Sequence, residues 1–139
     1  ADDIQTAKKK VANEVILLRN KTEKCCRDAR DLRKQEEEVA KAKDPAGKQK
    51  AVDLRKALQA LEKSYVTQTQ TTSQRINQVL KTSVPDEKKD WPDWQKGMDK
   101  WYRDLIEKES GFDVGNDAKL TGDISIGEKR ATIILKGKF

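Results

Sequence analysis

Histidine and cysteine, two residue types on which much enzyme chemistry depends, are absent or scarce in this chain. Its 139 residues include no histidine, which removes imidazole as a base, proton shuttle or metal ligand. The two cysteines, Cys25 and Cys26, are adjacent within a helical pattern and cannot form an ordinary disulfide with each other. We expect one small core thiol beside an exposed neighbour. The alternative is a redox pair, or an interchain bridge through the outward-facing thiol.

Acidic residues form two groups that resemble acid/base or metal sites. Residues 36–38 are three consecutive glutamates, but on a solvated helix such neighbours arise by chance. Asp113, Asn116, Asp117 and Asp123 gather oxygen ligands near several glycines, yet their spacing differs from that of an EF-hand loop, and turn formation explains them. No glycine-rich nucleotide-binding loop is present. The sequence therefore predicts no catalytic residue, no metal and no cofactor, and we expect no enzyme.

Aromatic and basic residues suggest binding instead. The three tryptophans and Tyr102 lie within twelve positions, where they can anchor a partner or stack on bases, although such a stripe more often docks a helix onto a core. Basic clusters lie at residues 8–10 and at Lys48 and Lys50, which the predicted fold places at opposite ends. The candidate partner contacts are Lys48, Lys50, Tyr65, Gln68, Trp91, Trp94, Trp101 and Tyr102.

Two long helices must position these residues. Every seventh residue from Ile4 onward is apolar or small, and a second column follows at the 3-4 spacing typical of a coiled coil. The first column is Ile4, Val11, Leu18, Cys25, Leu32 and Val39, and the second is Lys8, Val15, Thr22, Ala29 and Glu36. This pattern predicts a helix from about residue 2 to residue 43. The breaker at residues 43–47 contains Asp44 and Pro45, which can cap and open the next helix.

The second helix is predicted to run to about Thr82 and to fold back antiparallel on the first. This arrangement sets Cys25 near Tyr65 and Val15 near Ile76. The polar stretch of residues 67–74 then faces Thr22 and Cys25. It is either a polar core layer that fixes register, which we favour, or a flexible contact strip.

The remaining residues, 84–139, are predicted to form a small α+β base packed on the hairpin of residues 1–83. A tryptophan-rich helix is expected over residues 92–110, with Trp94, Met98, Trp101 and Leu105 on one face. Alternating apolar residues and a turn at residues 127–130 predict a β-hairpin over residues 120–136. The fold class is therefore mainly α, a long antiparallel coiled-coil hairpin with a third helix and a C-terminal β-hairpin.

Composition limits the function classes. Charged residues make up 39% and hydrophobic residues 35%, which is typical of long solvated helices rather than a thick core. The net charge of +6 allows an anionic partner. No run of 18 apolar residues occurs, so the sequence predicts a soluble protein without a transmembrane segment. The first residues, Ala1-Asp2-Asp3 without an initiator methionine, slightly favour an exported protein, periplasmic or secreted, over a cytoplasmic one.

These observations favour a non-enzymatic structural or protein-protein interaction protein that presents its hairpin to a protein partner or to a second copy of itself as a homodimer. The second hypothesis is a basic module that binds nucleic acid or an anionic envelope surface. Nucleic acid is disfavoured because lysine and arginine alternate with acidic residues rather than forming one stripe.

Overall fold

The computed structural model describes residues 3–41, 43–109 and 119–136. The predicted order of elements is confirmed: two long helices, a third helix and an antiparallel pair of strands. The elements are α1 (Ile4–Ala40), α2 (Pro45–Ser83), a short 3-10 turn (Lys88–Asp90), α3 (Trp91–Glu109), β1 (Lys119–Ser125) and β2 (Arg130–Lys136). The predicted C-terminal cap of α3, at Ser110 and Gly111, and residues 112–118 lie outside the described residues.

Side-chain caps start both long helices. The carboxylate of Asp3 accepts a hydrogen bond from the amide of Thr6, and that of Asp44 accepts one from the amide of Gly47, each at 2.7 Å. Pro45 occupies the first turn of α2, where its missing amide proton leaves no unmet bond. The predicted breaker is thus the turn of the hairpin.

The two long helices pack antiparallel in the predicted register. Glu36 pairs with Arg55 at 2.5 Å near the turn, and Glu14 lies 3.8 Å from Arg75 near the other end. Most predicted core positions are buried in the half of the hairpin away from the turn. The buried apolar residues of the two helices are Ala7, Val11, Val15, Leu18, Cys25, Cys26, Ala29, Ala51, Tyr65, Ile76 and Leu80.

Cys26 corrects the expectation of one exposed thiol. Cys25 is 7% exposed and Cys26 only 3%. Both thiols lie close to the hydroxyl of Tyr65, a fully buried residue of α2. The thiol of Cys25 donates to the carbonyl of Leu61 at 3.6 Å. Burial, and then the charge of Asp28, raise the pKa of the Cys25 thiol, so this thiol is a poor nucleophile at neutral pH. Neither buried thiol points outward to bridge to another chain.

The polar stretch of α2 supplies a core layer. Thr69 and Thr72 are 2% and 8% exposed, and Thr22 on α1 is fully buried. The hydroxyl of Thr69 donates to the carbonyl of Val66 at 2.7 Å, and that of Thr22 to the carbonyl of Arg19 at 3.1 Å. Because these hydroxyls are satisfied within their own helices, they can face the core at little cost. Thr69 and Thr72 therefore form the expected polar core layer, whereas Thr67 and Thr71 of the same stretch are exposed.

The third helix buries Trp94 and Met98 as predicted, but its buried stripe then continues away from the predicted Trp101 and Leu105. Its fully or nearly buried residues are Trp94, Met98, Tyr102 and Ile106, whereas Trp101 and Leu105 are half-buried. The difference arises because α3 is wedged between two neighbours: Trp101 lies under Lys8 of α1, and Tyr102 and Ile106 lie against Gly122 of β1. The buried face of α3 is therefore centred between its contact with α1 and its contact with β1.

Helix side chains occupy the outer edges of the two-stranded sheet. Gln95 of α3 accepts from the amide of Ile126 at 3.0 Å and donates to the carbonyl of Ile124 at 3.3 Å, as a neighbouring strand would. On the other edge, Asn77 accepts from the amide of Ala131 at 2.6 Å, and Ser73 from that of Ile133 at 3.1 Å. Two strands alone are marginal in water, so these bonds fix the sheet to α2 and α3.

Replacing Gly97 with alanine is expected to raise the free energy of unfolding by about 0.5 to 1 kcal/mol. Gly97 lies within α3, and an added Cβ would meet the side chain of Ile4 at 3.4 Å, an ordinary contact. The gain comes from the lower helix propensity of glycine. Urea denaturation measures it, and an unchanged or lower midpoint would show that α3 and α1 pack more closely here than the structure indicates.

Candidate functional site

Three of the predicted partner contacts lie in the core. Tyr65 and Tyr102 are fully buried and Trp94 is 5% exposed. The hydroxyl of Tyr102 donates to the carbonyl of Thr132 at 3.0 Å, which ties α3 to the sheet. These residues are absent from the accessible surface because they fill the spaces between helices, as aromatic stripes usually do.

The other two tryptophans are half-buried structural residues with polar partners. The indole nitrogen of Trp91 donates to the carbonyl of Pro85 at 2.8 Å, closing the loop before α3. The ammonium of Lys8 lies 5.3 Å from the centre of the Trp101 ring, within the range of a cation–π contact. Both rings are therefore engaged within the chain.

The basic clusters stay apart in the fold. Lys48 and Lys50 are exposed on the first turns of α2, whereas residues 8–10 lie on α1 at the other end of the hairpin. At 1.5 Å per residue the two clusters are roughly 45 Å apart. Lys8 also lies over Trp101, which further reduces the basic surface at that end. The two clusters do not form one phosphate-binding groove.

The base covers only one face of the hairpin. Ser73 and Asn77 of α2 make hydrogen bonds with the sheet. Two positions along a helix correspond to a rotation of about 200° about its axis, so Thr71 and Arg75 lie on the side of α2 opposite to the sheet. On α1, Lys8 contacts Trp101 of α3, whereas Leu17 lies on the side of α1 that faces away from α3. We call this uncovered side of α1 and α2 the open face.

Two grooves follow the junction of the helices along the open face. The proximal groove, a cavity of about 150 Å³, is lined among others by Glu14, Leu17, Lys21, Gln68, Thr71 and Arg75. Leu17 is 46% exposed, a high value for leucine. The side-chain oxygen of Gln68 is buried there, and no described residue donates a hydrogen bond to it. A buried acceptor without a donor is costly, so this groove favours an occupant that supplies one.

The distal groove lies nearer the turn and is more open. It is lined by Asp28, Asp31, Leu32, Gln35, Ala57 and Leu61. Among the described residues between 30 and 64, only Ala51 is buried, while Leu32, Leu58 and Leu61 remain partly exposed. The turn-side half of the hairpin therefore has an incomplete core, and its leucines can bury further surface against a partner.

The sequence identified Gln68 in these grooves but missed Leu17, Lys21, Gln35 and Arg75. One signal was available. The run from Val15 to Leu18 contains four consecutive apolar residues, more than one two-helix seam can bury. Ile16 and Leu17 are the two apolar residues of this run that the seam does not bury, and they are 43% and 46% exposed.

Among residues 3–41, 43–109 and 119–136, no three cysteines, aspartates or glutamates are grouped to hold a metal ion. The pKa of the Asp86 carboxyl is lowered by its hydrogen bond to Lys129 and by that residue's charge. It lies at the base, far from both grooves. No helix in the described part of the chain is long and apolar enough to cross a membrane.

Comparison with known proteins identifies no relative of this chain. No protein-family model matches the chain, and neither curated proteins nor solved structures give a significant match.

Proposed function

We propose that this protein is a non-enzymatic interaction protein whose helical hairpin presents its open face to a helical segment of a protein partner or of a second copy. The observation that carries the proposal is the one-sided base: α3 and the sheet cover one face, and the opposite face keeps Leu17 46% exposed. Exposed leucines along a groove between two helices are typical of surfaces that accept another amphipathic helix.

The lining of the grooves supports this assignment. Leu17, Leu32 and Leu61 supply apolar contacts, and the charged groups lie at the rims, as in a helix-binding groove. Small side chains such as Ala57 and Thr71 let another backbone approach closely. The buried oxygen of Gln68 adds one polar contact that an incoming donor can satisfy.

The hypothesis of a basic nucleic-acid or envelope-binding module has weaker support. It requires a continuous positive surface, whereas the basic clusters lie at opposite ends of the hairpin and the distal groove carries Asp28 and Asp31. We propose protein binding as the function.

A photo-crosslinking residue placed at Gln35 tests the proposal. Gln35 lines the distal groove, whereas Glu37, two positions away, lies on the opposite side of the hairpin with Arg33 and Leu58. In extracts of the source cells, p-benzoylphenylalanine at position 35 is expected to give a discrete crosslinked product, and the same residue at position 37 is the matched control. Mass spectrometry then identifies the linked protein as a second copy or as another chain.

The groove's own leucines provide the second control. Adding Leu32→Glu and Leu61→Glu should remove the product at position 35, because charged side chains cannot enter an apolar contact. Equal products at positions 35 and 37, or a product that survives these substitutions, would refute binding at the open face. Circular dichroism verifies that each variant keeps its helices.

A further inference from the structure

We propose that the open face binds the open face of a second copy, forming an antiparallel two-fold dimer whose axis passes level with residue 26 of α1 and residue 64 of α2. This inference rests on the proposed function and names its partner. Two features of the sequence support it: the order of charged residues along α1 and the position of small side chains along α2.

The charge pattern on α1 is symmetric with opposite signs. Lys21, Lys24, Asp28 and Asp31 follow one another at spacings of three, four and three residues, which keeps them on one side of the helix. Lys21, Asp28 and Asp31 line the two grooves, so this side is the open face. None of the four makes an ion pair with another described residue. About a two-fold axis at residue 26, Lys21 meets the second copy's Asp31 and Lys24 meets its Asp28.

The size pattern on α2 has its own centre. Ala57, Ala60, Ser64, Thr67 and Thr71 repeat at spacings of three and four residues, so small side chains form one stripe on the open-face side. The stripe is centred on Ser64, with Ala57 and Thr71 seven positions away on either side. Small side chains allow two α2 helices to approach closely at the axis.

The two centres coincide in the folded hairpin. Glu14 lies beside Arg75 and Glu36 beside Arg55, which makes residue 25 of α1 level with residue 65 of α2. Residue 26 is therefore level with residue 64. The axis specified by the charges on α1 is therefore level with the centre of the small-residue stripe on α2, where two α2 helices need to approach closely.

The geometry gives enough area for a stable dimer. The base lies on the other face, so the two open faces can overlap from about residue 9 to the turn. That overlap is about 50 Å long and about 20 Å wide, or roughly 1,000 Å² on each chain. Stable interfaces bury about 1,200–2,000 Å² in total, and this one would cover Leu17, Leu32 and Leu61.

Charge exchange tests both the partner and the register. One chain carries Lys21→Glu and Lys24→Glu, and the other carries Asp28→Lys and Asp31→Lys. Each chain alone is expected to be a monomer with a homodimer Kd raised at least about 100-fold, because four like-charge contacts replace four attractive ones. An equal mixture should form a heterodimer of twice the 15.8 kDa mass, since every facing pair is again opposite in sign.

Lys34→Glu with Lys41→Glu is the matched control, because it makes the same charge change at two exposed lysines turned away from the open face. Light scattering coupled to size exclusion measures the mass, and circular dichroism verifies folding. The control should dimerise as the wild type does. A monomeric wild type, or a mixture that fails to form heterodimers, overturns the dimer. If position 35 still crosslinks to a different protein, the proposed function stands and only its partner changes.

Discussion

Replacing Gly122 with alanine is expected to lower the free energy of unfolding by about 1 to 3 kcal/mol. A Cβ at this position would lie 2.6 Å from Cγ1 of Ile106 and 3.0 Å from Cε2 of Tyr102. Both side chains are fully buried, so neither can swing into solvent to make room. Strand β1 must move away from α3, which strains the bonds that Gln95 makes with its edge. Urea denaturation followed by circular dichroism measures the loss.

Gly127→Ala is the control for Gly122→Ala. Its added Cβ would meet the ring of Trp91 at 3.5 Å, an ordinary contact, so a change within about 0.5 kcal/mol is expected. Ile106→Ala should also cost less in the Gly122→Ala background than alone, because it removes the clashing atom. Equal unfolding midpoints for the two glycine variants would show that β1 does not approach α3 as closely as described.

Alkaline pH is expected to destabilise the fold through two buried tyrosines. Burial raises the pKa of Tyr65 and of Tyr102, with smaller contributions from Cys26 and Asp123 respectively. The folded state keeps both protons, while the unfolded state loses them near pH 10. Their stabilising contribution is therefore complete below about pH 10 and falls above it, by about 1.4 kcal/mol per pH unit for each residue. Urea denaturation from pH 8 to pH 11.5 measures the slope.

A double variant, Tyr65→Phe with Tyr102→Phe, isolates the tyrosines. The raised pKa of the Cys25 thiol adds a loss of stability that begins at lower pH. This loss occurs in the wild type and in the variant, so it cancels when their free energies of unfolding are subtracted. The variant should therefore lose less stability above pH 10 than the wild type. Parallel curves, or tyrosinate absorbance appearing near pH 10 in the folded protein, would contradict this burial.

Local patterns predicted most of the fold because they depend on neighbours along the chain. The heptad columns, the Asp44–Pro45 start of α2 and the alternation at residues 124–135 each act within a few residues. The burial of Cys26 and the shifted stripe on α3 could not be obtained in this way. Both depend on which element packs against them, the ring of Tyr65 in one case and the pair of α1 and β1 in the other.

The candidate site was less accessible to sequence reasoning. Gln68 was the one predicted contact that lines a described groove of the open face, since Lys48 and Lys50 line neither groove and the tryptophans belong mainly to the core. The grooves exist because the base covers one side of the hairpin, and that choice is made by Ser73, Asn77 and Lys8 reaching their partners. No periodicity in α1 or α2 alone indicates which side remains uncovered.

The helix side chains on the sheet edges also determine the order in which the molecule can fold. The bonds from Ala131 and Ile133 to Asn77 and Ser73 join residues 54 and 60 positions apart, and those from Gln95 span about 30. Such distant contacts form only after the intervening chain has been brought together. The hairpin of α1 and α2 needs only its short turn to begin pairing. The sheet therefore acquires its full set of backbone hydrogen bonds last, after α2 and α3 have come to lie beside it.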